Sequence, residues 1–191
     1  MKHTSLFIAS LMLLSASLHA ADYVHVKTSW DIDVTHQTYR NNDTKVSVGP
    51  AIAAFRLHEA KPVQADGSAQ FIYHGKRGFI TLYHEPRTLV AAASAAAYVQ
   101  ASCSVMDKGN GKFDSKSFFS LRYDSGGKTA SGRGAVYHFV HSPELYGKQI
   151  WDEFGSVQIG AFYFSYRGSF IEKSGLDDLP AFLRSIGIRK A

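Results

Sequence analysis

"PRTLVAAASAAAYVQASCSVM", Pro86 to Met106, is the stretch whose reading decides the fold. Leu89, Ala92, Ala96, Val99, Cys103 and Met106 follow one another at spacings of three or four, which places them on one side of a helix. Pro86 suits the first turn of such a helix, and Gly109 suits its stop. The spacing predicts a helix over 86–106 whose small residues let it lie close against a sheet. Cys103 sits on the apolar side near the C-terminal end, where the helix dipole opposes a thiolate. It reads as a packing residue, not a nucleophile.

The segments around this helix read as strands. Tyr23–Thr28 and Ile32–Tyr39 are β-rich, and Lys45–Leu57 is extended but interrupted at Gly49-Pro50. Gln70–His74 and Gly78–His84 flank "GKR" as a hairpin. Ser117–Tyr123 and Gly134–His141 flank a loop over 124–134. Val157–Ser169 is the strongest single strand. Its bulky residues change phase beside Gly160, which predicts a bulge. A second helix is expected over 177–186. Asp177 or Asp178 would cap it, Pro180 fits its first turn, and Leu179, Phe182, Leu183 and Ile186 form one apolar stripe. Gly187 would end it.

These elements define an α+β fold: a single domain with a curved antiparallel sheet and two packed helices, central 86–106 and C-terminal 177–186. In element order this is similar to the PsbP-like proteins, in which a terminal helix covers a curved sheet. The likeness implies a fold and no activity.

The start of the chain reads as a secretory leader. Lys2 precedes the apolar run Leu6–Leu14, and small residues follow up to Ala20 and Ala21. The apolar run is shorter than the ~20 residues a bilayer span needs. Cleavage is expected after Ala20, giving 1–20 as signal peptide and 21–191 as one soluble domain, periplasmic or secreted. The single cysteine excludes an intramolecular disulfide. The formal net charge of +5 contains no block of like charges, and export argues against a nucleic-acid partner.

Sequence motifs for chemistry fail on spacing. From Asp107, calcium-loop positions 3, 5, 6 and 12 hold Gly109, Gly111, Lys112 and Phe118, which supply neither the ligands nor the glycine required. Gly127-Lys128-Thr129 lacks the upstream glycine of a phosphate loop, since Arg122 stands there. Ser125-Gly-Gly-Lys128 spells Ser-x-x-Lys, but its two glycines oppose the helical turn that motif needs. His138 and His141 have strand spacing that sends them to opposite faces. His74 and His84 lie on paired strands but out of register, and Asp31 and Asp33 share a strand face that only a close approach of the first strand would bring to His25. No catalytic residue, metal site or cofactor is assigned.

The aromatic residues remain. In "AQFIYHGKRGFITLYHE", "AVYHFVHSPELYG" and "AFYFSYRGSF" rings fall on both strand faces, so one face makes the core and the other is covered by a helix, lines a ligand cavity or forms an interface, with a sheet covered on both sides as the default. The sequence expectation is a non-enzymatic, exported protein-binding domain, an immunity-type inhibitor or an envelope assembly accessory. Its contacts would come from Lys128, Arg133, Tyr163, Tyr166 and Arg167. The alternatives are a periplasmic carrier of a small apolar or anionic ligand and a hydrolase without a recognisable motif.

Overall fold

The computed structural model describes residues 29–61, 63–90, 92–109, 113–140 and 149–191. The leader 1–20, the strand expected over Tyr23–Thr28, and His25 and His141 lie outside the described residues, as does the side chain of Met106. The chain forms β1 (Trp30–Asp33), β2 (Thr38–Asn41), β3 (Ser47–Val48), β4 (Ala51–Ile52), β5 (Phe55–Lys61), β6 (Ala69–His74) and β7 (Gly78–Pro86). Helix α1 (Ala95–Gly109) follows, then β8 (Phe113–Ser125), β9 (Lys128–Val140), β10 (Gln149–Ile159) and β11 (Phe162–Phe170). Helix α2 (Leu179–Ser185) and β12 (Ile188–Lys190) end it. Nine strands make one antiparallel sheet in the order β12-β8-β9-β10-β11-β7-β6-β5-β4, curled into a half-barrel, and β1-β2-β3 make a small second sheet. The α+β class with one central and one C-terminal helix is the one the sequence predicts.

Both faces of the large sheet are covered, but unequally. The inner face holds the main core. There Phe71, Tyr73, Ile80, Leu82, Phe164, Tyr166 and Phe170 meet Trp30 from the small sheet and Leu179, Phe182, Leu183 and Ile186 from α2. The expected apolar stripe of α2 is therefore its buried face. On the outer face α1 sets Val99 and Cys103 on Ala135, Tyr137 and Phe154 of β9 and β10, with Tyr98 beside them.

Several boundaries differ from the sequence reading, each because backbone pairing overrides local pattern. The central helix begins at Ala95, not Pro86. Pro86 is still paired with Phe162, and the Arg87 amide donates to the Ala161 carbonyl at 2.9 Å, so β7 holds that segment in the sheet. Ser94 then caps the helix, its Oγ accepting from the Ala97 amide at 3.2 Å. Leu89 is consequently outside the helix and 63% exposed.

Residues 124–134 are not a loop. Gly126 and Gly127, at φ 55° and 78°, form a two-residue turn between long strands, with Ser125 opposite Lys128. Val157–Ser169 is likewise a hairpin rather than a bulged strand. Gly160, at φ 59°, and Ala161 join β10 to β11, with Ile159 opposite Phe162. Ile32–Tyr39 is also a hairpin, Asp33 pairing with Thr38. Asp178 does not cap α2, because a 3-10 turn (Lys173–Asp178) runs directly into it; its carboxylate instead accepts from Arg77 Nη2 at 3.1 and 3.0 Å. Strand β12, unforeseen in sequence, pairs with β8 through Ile188 opposite Tyr123.

Candidate functional site

Strand alternation and register determine which side chains reach the outer face. On β6 these are Gln70, Ile72 and His74, and on β7 they are Phe79, Thr81, Tyr83 and Glu85. On β11 they are Tyr163, Ser165, Arg167 and Ser169. Helix α1 covers the β9–β11 part of this face. Its Tyr98 ring stands 5.8 Å from Phe154 and 5.4 Å from Tyr163, centre to centre. The Tyr98 hydroxyl donates to Glu85 Oε2 at 2.7 Å. Burial and the adjoining Glu85 carboxylate raise the pKa of that phenol, keeping it a neutral donor. This bond marks where the cover ends.

Beyond it, among the described residues no helix covers the outer face of β5–β7, where Thr81 is buried and the side chains towards the strand ends are more exposed. Phe79 is 42% exposed and Ile72 half-buried. Ile171, just after β11, is 52% exposed. Phe79 is opposite Ser169, and the amide of Ile171, just past the last paired residue Phe170, donates to the Arg77 carbonyl at 3.1 Å, which brings Ile171 near Phe79. A bulge between Leu57 and Glu59 turns His58 onto the same side, where its ring stacks on His74 at 4.1 Å; the His74 ring is 6.4 Å from Phe79. Two clefts border this flank. One, of about 600 Å³, is lined by Phe55, Lys76, Arg77, Ile171, Glu172 and Asp178. The other, of about 290 Å³, has Lys61, Gln70, Tyr83 and Glu85 in its wall.

The five residues singled out from sequence are not brought together. Tyr163 is buried under α1, and its hydroxyl donates to the Ala92 carbonyl at 2.9 Å. Tyr166 is buried on the opposite, inner face, donating to Glu153 Oε1 at 2.8 Å. The other Glu153 oxygen accepts from Lys190 Nζ at 2.6 Å. Both tyrosines therefore serve packing and cannot meet a partner. Arg167 is half-buried, donating through Nε at 3.0 Å and Nη2 at 2.5 Å to buried Asp152. Lys128 is exposed at the β8–β9 tip. Arg133 is exposed on β9 with its guanidinium 5.0 Å from the centre of the Phe118 ring.

Groups with chemical potential are held in structural roles. His84 is fully buried, with its ring 5.0 Å from Trp30 and 4.6 Å from Phe162. Its Nδ1 is 3.0 Å from the Gly67 carbonyl and its Nε2 is 3.2 Å from Thr44 Oγ1. Burial drives its pKa down to about 4 against the opposing pull of Gly67 and Asp43, so the ring is neutral and Nδ1 donates to Gly67. Cys103 is buried in the α1 contact. Among the described residues no three His, Cys, Asp or Glu side chains are grouped to hold a metal ion, and no helix is long and apolar enough to cross a membrane.

Phe79 and Ile171 are what the sequence reading missed. Both sit in or beside segments already read as aromatic-rich or strand-like, but only the pairing of β11 with β7 brings them near each other and shows that α1 stops short of them. No family model matches this chain, and no curated protein matches it.

Proposed function

We propose that this chain is an exported, non-enzymatic domain that binds another protein through the open outer flank of its sheet. The observation that carries this reading is the joint exposure of Phe79 and Ile171 on a face that α1 covers elsewhere. Large apolar side chains exposed near one another beside clefts of mixed polar and apolar lining favour a protein contact. The carrier alternative has less support. The inner concavity is filled by fully buried rings, among them Trp30, Tyr73, Phe164 and Phe182, and the clefts described open at the surface. For the hydrolase alternative, His84 is enclosed, and the accessible His36–Asp33 pair, at 2.6 Å, sits on the exposed turn between β1 and β2 away from both clefts of this flank.

The test is comparative capture from the periplasmic extract of the producing cell. Wild type retains a stoichiometric protein, and the double variant F79S/I171S, folded by its thermal melt, releases it. Equal retention by both proteins would remove this flank as the binding surface. A low-molecular-weight compound in place of a protein, found by native mass spectrometry, would favour the carrier.

A further inference from the structure

The opposite margin of the sheet carries a different surface. Arg189 of β12 stands directly opposite Arg122 of β8. Arg122 is opposite Ser131, so Arg133, two residues along β9, lies on the same face at the diagonal position. Arg184 of α2 and Arg189 border one cleft of about 240 Å³ floored by Pro180, Leu183 and Ile188. All four arginines are exposed; Arg122, Arg133 and Arg189 form a strip on the outer face, and Arg184 of the inner-face helix meets its end at the cleft beside the β12 edge.

Like charges placed directly opposite each other on a sheet repel. Among the described residues none of the four makes an ion pair, and the carboxylate nearest in sequence on that face, Asp124, makes none with them. Arg133 alone is engaged, through the Phe118 ring, which holds its guanidinium in place. An uncompensated strip of this kind is stabilised by an anion from outside.

We propose that the arginine strip docks an acidic segment of a partner protein. The proposal rests on the reading of the chain as a protein-binding domain and adds the charge of what is bound. Guanidinium groups present planar forks that match carboxylates bidentately. The diagonal separation of Arg122 and Arg133, about 7–8 Å, also matches the ~7 Å repeat of same-side residues in an extended peptide. An anionic lipid surface fits less well. Among the described residues the exposed large apolar side chains, Val34, Phe79, Leu89 and Ile171, all lie off β8, β9, β12 and α2, so the strip has no anchor among them for a bilayer.

The full chain is titrated into fluorescein-labelled hexaglutamate at low salt and followed by anisotropy, with hexaglutamine as control. Binding of hexaglutamate alone is expected, weakening as salt rises. R122E/R189E should weaken it about tenfold or more, and R122Q/R189Q less. R40E, on β2, should leave it unchanged. Absence of hexaglutamate binding, equal binding of hexaglutamine, or full binding by R122E/R189E would overturn the proposal. So would binding to phosphatidylglycerol vesicles in preference to the peptide. Phe79 and Ile171 are intact throughout, so failure here is separate from failure of partner capture by F79S/I171S.

Discussion

Protonation of His84 should destabilise the fold in a defined pH window. The imidazole is enclosed between Trp30 and Phe162, and its ring nitrogens are directed at Gly67 and Thr44. Its pKa in the fold is about 4, against 6.5 for the free side chain. A histidine with a depressed pKa takes up its proton more readily when unfolded. Stability associated with the neutral ring is therefore fully present above the unfolded value and is lost as pH falls through 6.5 towards 4. The gap corresponds to about 3 kcal/mol in total, with about 2.5 kcal/mol lost between roughly pH 7.5 and pH 4.5. Carboxylates elsewhere also titrate in this range, so the comparison must be with His84→Gln, which keeps an amide able to donate to Gly67. At about pH 7.5 the variant should be less stable by about 2 kcal/mol, from lost ring packing. At about pH 4.5 that deficit should vanish or reverse, because only wild type carries the titration. Urea denaturation followed by tryptophan fluorescence gives both numbers. A deficit that stays constant with pH would show that the His84 ring titrates normally and that its burial is misjudged.

Three further outcomes follow from packing. Gly160→Val should lower the melting midpoint by about 3 °C or more, for about 1 kcal/mol of backbone strain, since a β-branched residue is forced to φ 59° while nothing lies within 4 Å to clash. Cys103 should resist a thiol reagent such as DTNB in the native protein and react fully in denaturant; rapid native labelling would place it outside the α1 contact. Glu153→Ala should destabilise by about 2–3 kcal/mol in urea, because it strips buried Tyr166 of its acceptor and leaves Lys190 unpaired, whereas Glu153→Gln should cost less.

The parts of the fold legible in sequence are those where local chemistry and tertiary packing agree. Leu179, Phe182, Leu183 and Ile186 show helical spacing, and α2 buries all four. Gly75–Arg77 separates two runs that do pair as β6 and β7. Where the two disagree, the sheet wins. Pro86 reads as a helix start, yet Phe162 holds it in a ladder, and Ser94 supplies the cap. Gly160 carried a true signal, a reversal of phase, but bulge and two-residue turn both produce it. The candidate site was less legible still. Tyr163 and Tyr166 are three apart and so fall on opposite faces, and the sequence does not show that both faces are covered there. Phe79 and Ile171 are brought together only by the β7–β11 register, and Arg122 and Arg189 only by β12, a three-residue strand too short to carry a pattern.

The most direct measurement places a photo-crosslinking amino acid at Phe79 in the producing cell, with the same group at Phe154, beneath α1, as the covered control. Irradiation should join Phe79 to one discrete protein and Phe154 to none. Crosslinks at neither position, or from Phe154 alone, would contradict an open sheet flank as the surface through which this chain acts.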